Sequence, residues 1–500
     1  MSEQTHVEVR QGSYHDSVTL MQVSRDVTAT EGVVSAQVAM GTELNLDLLR
    51  GMGFEPPGDA GPNDMVVAVR ASDEDALAEA LRRVVAALAA SSAGGSGDGL
   101  GGRVPEPRTV TSAVRRSAEP PTLAVVSVPG AHAFTEAMSA LQSGISVLVF
   151  SDNVSVEQEV RLKDEAAARD LLVMGPDCGT AMVAGAGLGF ANAVRPGPVG
   201  LVAASGTGAQ QLMCLLDGAG VGVSHCLGIG GRDLSAAVGG RSTRAALALL
   251  DEDPATELIV LVSKPPDAAV AADITAYAES LTTPVHLALL GEGQPDLTQV
   301  AARAVEAVGQ SWSEPWSWDG QPPPTPGGAV RGLFAGGTLC DEAMLIATAT
   351  LGEVRSNIPL RPEWAVGPDL RSDGHLMVDF GDDALTQGRP HPMIDQRTRL
   401  DRIAVEAADP TCAVLLLDVV LGHAAHPDPA SELAPALSQA RATAAADGRD
   451  LAVVVSLCAT EDEPQAPRRQ AEMLHEAGAA IFLSNAAAAR HAVSLVGGAS

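Results

Sequence analysis

Residues 197–240, GPVGLVAASGTGAQQLMCLLDGAGVGVSHCLGIGGRDLSAAVGG, constrain the fold of this chain more than any other stretch. Two apolar runs, GPVGLVA and VGVSHCL, each lead into a glycine-rich turn. The first turn is Ser205, Gly206, Thr207 and Gly208, followed by the helix-like QQLMCLLDGAG. The second is Gly228, Ile229, Gly230 and Gly231, followed by Arg232 and Asp233. A strand that runs through such a turn into a helix leaves backbone N–H groups at a positive helix end, a natural seat for an anion. Two such turns close together predict a parallel α/β unit that handles phosphate.

The rest of the chain repeats that rhythm. Short Val/Leu/Ile runs alternate with Ala-rich amphipathic stretches, and aromatic residues make up only 3% of 500 residues. This predicts an α/β protein of several doubly wound domains with mostly parallel sheets. The first ninety residues read differently, as a small α+β unit with a ferredoxin-like order of strands and helices. Two linkers divide the chain: residues 91–109 are rich in Gly, Ser and Pro, and residues 310–328 carry five prolines with Trp312, Trp316 and Trp318. The tryptophans are expected to anchor their linker on a domain surface.

A net charge of −30 argues against nucleic acid or an anionic membrane as partner. Lysine occurs only at Lys163 and Lys264, a bias read here as compositional. Cys178, Cys214, Cys226, Cys340, Cys412 and Cys458 form no CxxC pair, and several lie in apolar runs, so buried free thiols are expected. The polar opening MSEQTHVEVRQGSYHDS lacks a signal-peptide core, and no apolar run reaches the ~18 residues of a spanning helix. A cytoplasmic protein is expected, acting on a small molecule with companion subunits or as a homo-oligomer.

Three further groups are candidates for chemistry. Gly336, Gly337 and Thr338, before DEAMLIATAT, form a third glycine start and a third candidate anion site. The run from Asp379 to Asp383 leads into Arg389, His391 and Asp395, where prolines pre-set the loop for a carboxylate or phosphate and for proton transfer. Arg232 is a candidate clamp for an anionic substrate. His423 and His426, in GHAAHPD, sit where α/β folds place ligands, but their spacing does not make a metal site, and no metal is expected. Asp16 and Thr42 read as helix caps.

The middle of the chain resembles the α-subunit of succinyl-CoA synthetase and its ADP-forming acyl-CoA synthetase relatives. VPGAHAFTEAM, GPDCGT, GPVGLVAASGTGAQ, GVSHCLGIGGRDL and DEDPATELIVLVS carry the likeness in order. The carboxyl-terminal block, with GLFAGGTLCDEAM, MVDFGDD and CAVLLLDVVLGHAAHPDP, resembles the carboxyl domain of the β-subunit. With YHDSVTLM, AMGTELN and GRPHPMIDQRTR, the whole resembles the fused FdrA family. The resemblance implies a CoA-binding-like Rossmann domain at 110–195, a ligase-CoA-like domain of α-subunit type at 196–309 and one of β-subunit type at 329–500, after the 1–90 unit and around the two linkers.

The departures from that family restrict the chemistry. Its phosphohistidine motif GHAGA has no counterpart after PVHLALLGEG. The strand end that would carry the orienting glutamate reads Leu261-Val262-Ser263-Lys264-Pro265-Pro266. No TGxxG turn precedes TLAVVSV. A relay needs a nucleophilic nitrogen held by a carboxylate. The resemblance without the relay implies acyl or carbamoyl transfer through a carbonyl–phosphate species, as in the conversion of oxalurate and phosphate to oxamate and carbamoyl phosphate in allantoin degradation. Phosphate is then substrate or product, no cofactor is assigned, and CoA stays open. The alternatives are an ADP-forming acyl-CoA synthetase using CoA and nucleotide, and a non-catalytic metabolite-binding subunit.

Overall fold

The β-branched runs of the sequence become strands and the Ala-rich stretches between them become helices in the computed structural model, which describes residues 3–13, 15–58, 60–93, 107–319, 328–386 and 389–497. The centre of the first linker (94–106), the proline run 320–327, Tyr14 and Gly388 lie outside the described residues. The chain divides into two compact units: residues 1–108 with 383–390, and residues 109–382 with 391–500.

The smaller unit is a three-stranded antiparallel sheet of Gln4–Arg10, Met65–Ala71 and Val33–Met40, in that spatial order. The middle strand is apolar along nearly its whole length because both faces of the sheet are covered. Helices Ser17–Thr28 and Glu74–Ala93 place Leu20, Val27 and Val84 against Val67 and Val69. Leu49 and Phe54 cover Val66 and Ala68 on the other side. Asp16 and Thr42 cap their helices by accepting the N–H groups of Thr19 and Asn45.

The larger unit holds three sheets. Leu123–Val126, Ser146–Val149 and Val173–Met174 form a short parallel sheet. A six-stranded sheet runs Val285–Leu289, Leu258–Ser263, Pro196–Ala204, Val223–Gly228, Thr180–Val183 and Ala186–Gly189, the first four parallel. Its antiparallel edge hairpin comes from the stretch expected to belong to the preceding domain. A seven-stranded sheet runs Ser317–Trp318, Ala479–Phe482, Ala452–Cys458, Cys412–Val420, Ala329–Phe334, His375–Asp379 and Val354–Ser356. All of it is parallel except the Trp318 edge strand. That edge strand, with the Trp316 indole donating to Glu461 and Arg468 lying 4.1 Å over its ring, fastens the linker as expected.

In both large sheets the first strand of the α/β run lies inside the sheet. From Pro196–Ala204 the chain goes to one neighbour, Val223–Gly228, and then to the other, Leu258–Ser263. From Ala329–Phe334 it goes first to the His375–Asp379 side and then to Cys412–Val420. The carboxyl ends of these two strands are therefore topological switch points, where loops diverge and leave a crevice. All six cysteines are buried and free, and no described helix is long and apolar enough to cross a membrane.

One buried ionic cluster holds the short parallel sheet to its neighbour. Lys163, on helix Val156–Ala167, donates to Glu159 (2.6 Å), Asp233 (2.7 Å) and the Ile229 carbonyl (3.1 Å). The Asp233 carboxylate in turn accepts from the N–H groups of Ser242 and Thr243, which open helix Arg241–Glu252. Removing one member of such a cluster strands a buried charge. Asp233→Ala is expected to lower the unfolding free energy by about 3 kcal/mol. An unshifted urea midpoint for this variant would contradict that role.

Candidate active site

The two switch points meet. Ser205, extended at φ −157°, ends the strand Pro196–Ala204 and caps helix Gly206–Gly218 by accepting the Gly208 N–H at 3.0 Å. Its hydroxyl also lies 2.5 Å from that of Thr338, in the first turn of helix Gly337–Leu351. The approach is close enough to require glycine. A methyl group on Gly336 would sit 2.7 Å from Cγ2 of Thr207. One on Gly337 would sit 2.5 Å from Oδ2 of Asp379 and 2.8 Å from Nζ of Lys264. Two positive helix ends thus meet, with Thr207, Lys264 and Asp379 packed around the contact.

The charges around this contact come from the carboxyl ends of neighbouring strands. Lys264 follows Leu258–Ser263, and its Nζ is 3.6 Å from Oδ2 of Asp341. Burial alone pulls the lysine pKa down, but the Asp341 and Asp379 carboxylates outweigh it and the net direction is up. Asp379 ends His375–Asp379 and accepts the Gly381 N–H at 2.8 Å. Burial lifts its pKa to about 7 against the opposing pull of Lys264. Burial likewise raises Asp341, again opposed by Lys264. Asp418, on Cys412–Val420, is pushed up by burial while Arg399 pulls it down. Arg399 lies 3.3 Å from it.

His391 reaches this region from the other side of Gly381. A methyl on Gly381 would lie 2.8 Å from His391 Nε2 and 3.1 Å from Asp379 Oδ1. The ring packs beside Phe190 at 5.6 Å. Its Nδ1 accepts the Met393 N–H at 3.2 Å, which places the proton of the neutral ring on Nε2. Burial, with a smaller contribution from Arg399, lowers its pKa to about 4.

The residues singled out from the sequence divide among several places. Ser205, Gly206, Thr207 and Gly208 are at the meeting of the helix starts. Gly206 is exposed and Thr207 half-buried, so the N–H groups of the first turn, which a helix leaves without carbonyl partners, stay open. Gly336, Gly337 and Thr338 lie opposite, but the third anion site needs correction. The N–H groups of Ala335 and Gly336 already donate to Asp418, at 2.7 and 2.8 Å.

The second turn also differs from expectation. No helix follows Gly231 directly, and the next helix start is filled by Asp233. Gly228 is needed because a side chain would overlap the Thr180 carbonyl, and Gly230 because it has φ +85° and abuts Pro176. Arg232 pairs with Glu159 at 2.9 Å and donates to the Val154 carbonyl through the same guanidinium nitrogen, with its side chain 45% exposed.

The expected grouping of Arg389, His391 and Asp395 is corrected as well. Asp395 accepts from Arg397 at 2.8 Å and anchors the helix Arg397–Ala408. Arg389 is exposed and belongs to residues 383–390 of the smaller unit. His391 has Gly381, Asp379 and Phe190 as its neighbours. His423 is exposed, and buried His426 pairs with Glu432 at 3.2 Å. Among the described residues no cluster of His, Cys, Asp or Glu could hold a metal ion. Sequence reasoning did not single out Lys264, Asp341, Asp418 or Arg399 as candidates. The rarity of lysine was the available signal for the first.

Comparison with known proteins places the chain as a whole. YahF of Escherichia coli (strain K12) is 38% identical over 502 residues, covering 95% of this chain and 96% of its own. The chain belongs to the YahF family. A CoA-ligase family model matches residues 333–495, the region of the second helix start. Residues 1–103 match the heavy metal-associated domain of AllF, although the first cysteine is Cys178 and no thiolate is present there to bind a soft metal. The succinate–CoA ligase [ADP-forming] subunit alpha 2 of Archaeoglobus fulgidus is 28% identical over 225 residues, 41% of this chain and 76% of that one. The malate–CoA ligase subunit alpha of Methylorubrum extorquens is 27% identical over 183 residues, 34% of this chain and 60% of that one. This YahF-family chain is therefore succinyl-CoA-synthetase-like, a ligase-type scaffold with acyl-CoA-synthetase-like character.

Asp379 and His391 leave opposite marks on stability. Asp379 stays protonated in the folded chain up to about pH 7 against an ordinary 3.8. Its contribution is complete below 3.8 and is lost as pH rises toward 7. His391, at about 4 against 6.5, contributes fully above 6.5 and loses its contribution as pH falls to 4. Between pH 4 and 6.5 the two slopes oppose each other. Relative to the native chain, Asp379→Asn should make stability rise with pH in this window, and His391→Asn should make it fall. Urea unfolding at three pH values reads the slopes, and identical slopes in all three proteins would contradict the assignment.

Proposed function

We propose that this chain transfers an acyl or carbamoyl group through a carbonyl–phosphate species, as an FdrA-type subunit resembling an oxamate carbamoyltransferase of allantoin degradation. The observation that carries the reading is the convergence of two helix starts on one lysine. Phosphate sits at the open N–H groups of Gly206 and Thr207, within reach of Lys264. The same donors stabilise the negative charge that develops when phosphate adds to a carbonyl carbon. The strand end that bears Lys264 has no carboxylate to orient a phosphohistidine, and His391, with Nδ1 engaged and its pKa lowered, is a poor nucleophile. Direct attack by phosphate needs neither.

The chain acts in this reading in the cytoplasm, on a small substrate, with companion subunits or as a homo-oligomer. The CoA-ligase match over residues 333–495 favours a second reading, an ADP-forming acyl-CoA synthetase that uses CoA and nucleotide. The test uses the full chain purified with the proteins encoded beside it. Oxalurate and inorganic phosphate should give oxamate and carbamoyl phosphate without CoA, and arsenate should replace phosphate. Acyl-CoA formation that requires CoA and nucleotide, with no carbamoyl phosphate, would favour the second reading and sink the first.

A further inference from the structure

We propose that Lys264 and Asp379 divide the chemistry of this site, Lys264 as the fixed cation that holds a phosphoryl oxygen and Asp379 as the carrier of the transferred proton. This rests on the phosphate-transfer reading above and assigns it residues.

The contrast between the chain's two lysines carries the first half. Lys163 is sealed off, its ammonium saturated by Glu159, Asp233 and the Ile229 carbonyl. Lys264 has a side chain 41% exposed, and its carboxylate partner is 3.6 Å away, long for a charge-assisted hydrogen bond. An ammonium has three donors, so Lys264 has capacity for a ligand. Among the described residues arginine makes most of the other ion pairs, Arg331 with Glu406 and Arg399 with Asp418 among them. At Lys264 the Gly337 backbone comes so close that a methyl there would lie 2.8 Å from Nζ. A planar guanidinium presents its donors in a fixed fork rather than as a compact point charge, so arginine would not reproduce the ammonium at this position.

The second half follows from what faces Asp379. Lys264 approaches from the loop after Leu258–Ser263, and Asp341 and Cys340 face it from the helix Gly337–Leu351. Gly381 and Asp382 belong to its own loop, and Asp418 stands beyond Cys340. His391 shares the Gly381 pinch but presents Nε2–H, a donor that cannot take up a proton. Lys264 stays charged beside its carboxylates. Of the two carboxyls beside Lys264, Asp379 is the one pressed against the helix start at Gly337, where a methyl would lie 2.5 Å from its Oδ2, and its burial supports a change of protonation near neutral pH.

The step balances without a further reactant. A phosphate oxygen bonds to the carbonyl carbon, and the bond from that carbon to the leaving amide nitrogen breaks. The attacking hydrogen phosphate loses its proton to Asp379, and Asp379 returns it to the departing nitrogen. One proton moves, and the products are an amide and a carbonyl phosphate.

The test uses the full chain with its companions and three variants, Lys264→Met, Lys264→Arg and Asp379→Asn, each checked for a native thermal transition. Inorganic phosphate is titrated calorimetrically. Lys264→Met should weaken phosphate binding about tenfold or more, and Lys264→Arg should not restore it. Asp379→Asn should bind phosphate about as well as the native chain while turnover falls about 100-fold and the pH limb near neutrality disappears. Native phosphate affinity in Lys264→Met, or a native pH profile in Asp379→Asn, would overturn the assignment even if the native chain makes carbamoyl phosphate. Lysine-dependent phosphate binding by a native chain that forms no carbonyl phosphate would instead fail the transfer reading, keep the role of Lys264 and remove that of Asp379.

Discussion

The hydroxyl contact between Ser205 and Thr338 holds together two helix starts that would otherwise repel each other. Each α-helix ends in roughly half a positive charge, so facing two of them costs electrostatic energy. A neutral hydrogen bond contributes only about 1 kcal/mol net, too little to offset that alone. Asp418 adds to it by taking the N–H groups of Ala335 and Gly336 directly. The glycine at 336 follows from the same contact, because a side chain there would strike Thr207, while one at 337 would meet Asp379 and Lys264.

Three helix starts in this unit show three degrees of closure. The start of Arg241–Glu252 is filled by Asp233, itself locked to Lys163. The start of Gly337–Leu351 is half satisfied, with Asp418 binding the residues just before it. The start of Gly206–Gly218 has only the Ser205 hydroxyl, on Gly208. An external anion has the most to gain at the third, where the backbone donors are open and Lys264 is near. The sheet topology explains why these starts meet, since both switch points lie at carboxyl ends of central parallel strands.

Much of the fold was legible in the sequence. Apolar runs bounded by glycine turns marked the parallel strands, and Asp16 and Thr42 announced their helices by capping chemistry. The tryptophan-bearing linker also behaves as its composition implied. The glycine motif at 228–231 misled because glycine serves two ends, anion binding and close packing, and only coordinates separate them. There the Thr180 and Pro176 carbonyls come so near that any side chain is excluded. Asp395 and Arg389 misled through proximity in sequence, although Asp395 turned to its nearer partner Arg397. The site charges were hidden for the opposite reason. Lys264, Asp341, Asp379 and Asp418 come from four separate strand ends or helices and meet only once the two sheets are in register. Lys264 was visible as one of two lysines, but composition could not say that its place was special.

The central claim is that the open helix start at Gly206 and Thr207, with Lys264 beside it, is where an anion binds. A crystal structure of the chain soaked with tungstate, a tetrahedral phosphate mimic with strong anomalous scattering, tests this most directly. The account predicts one dominant anomalous peak within hydrogen-bonding reach of the Gly206 and Thr207 N–H groups and of the Lys264 ammonium. A dominant peak at the Gly228–Gly231 turn, with none near Lys264, would contradict it.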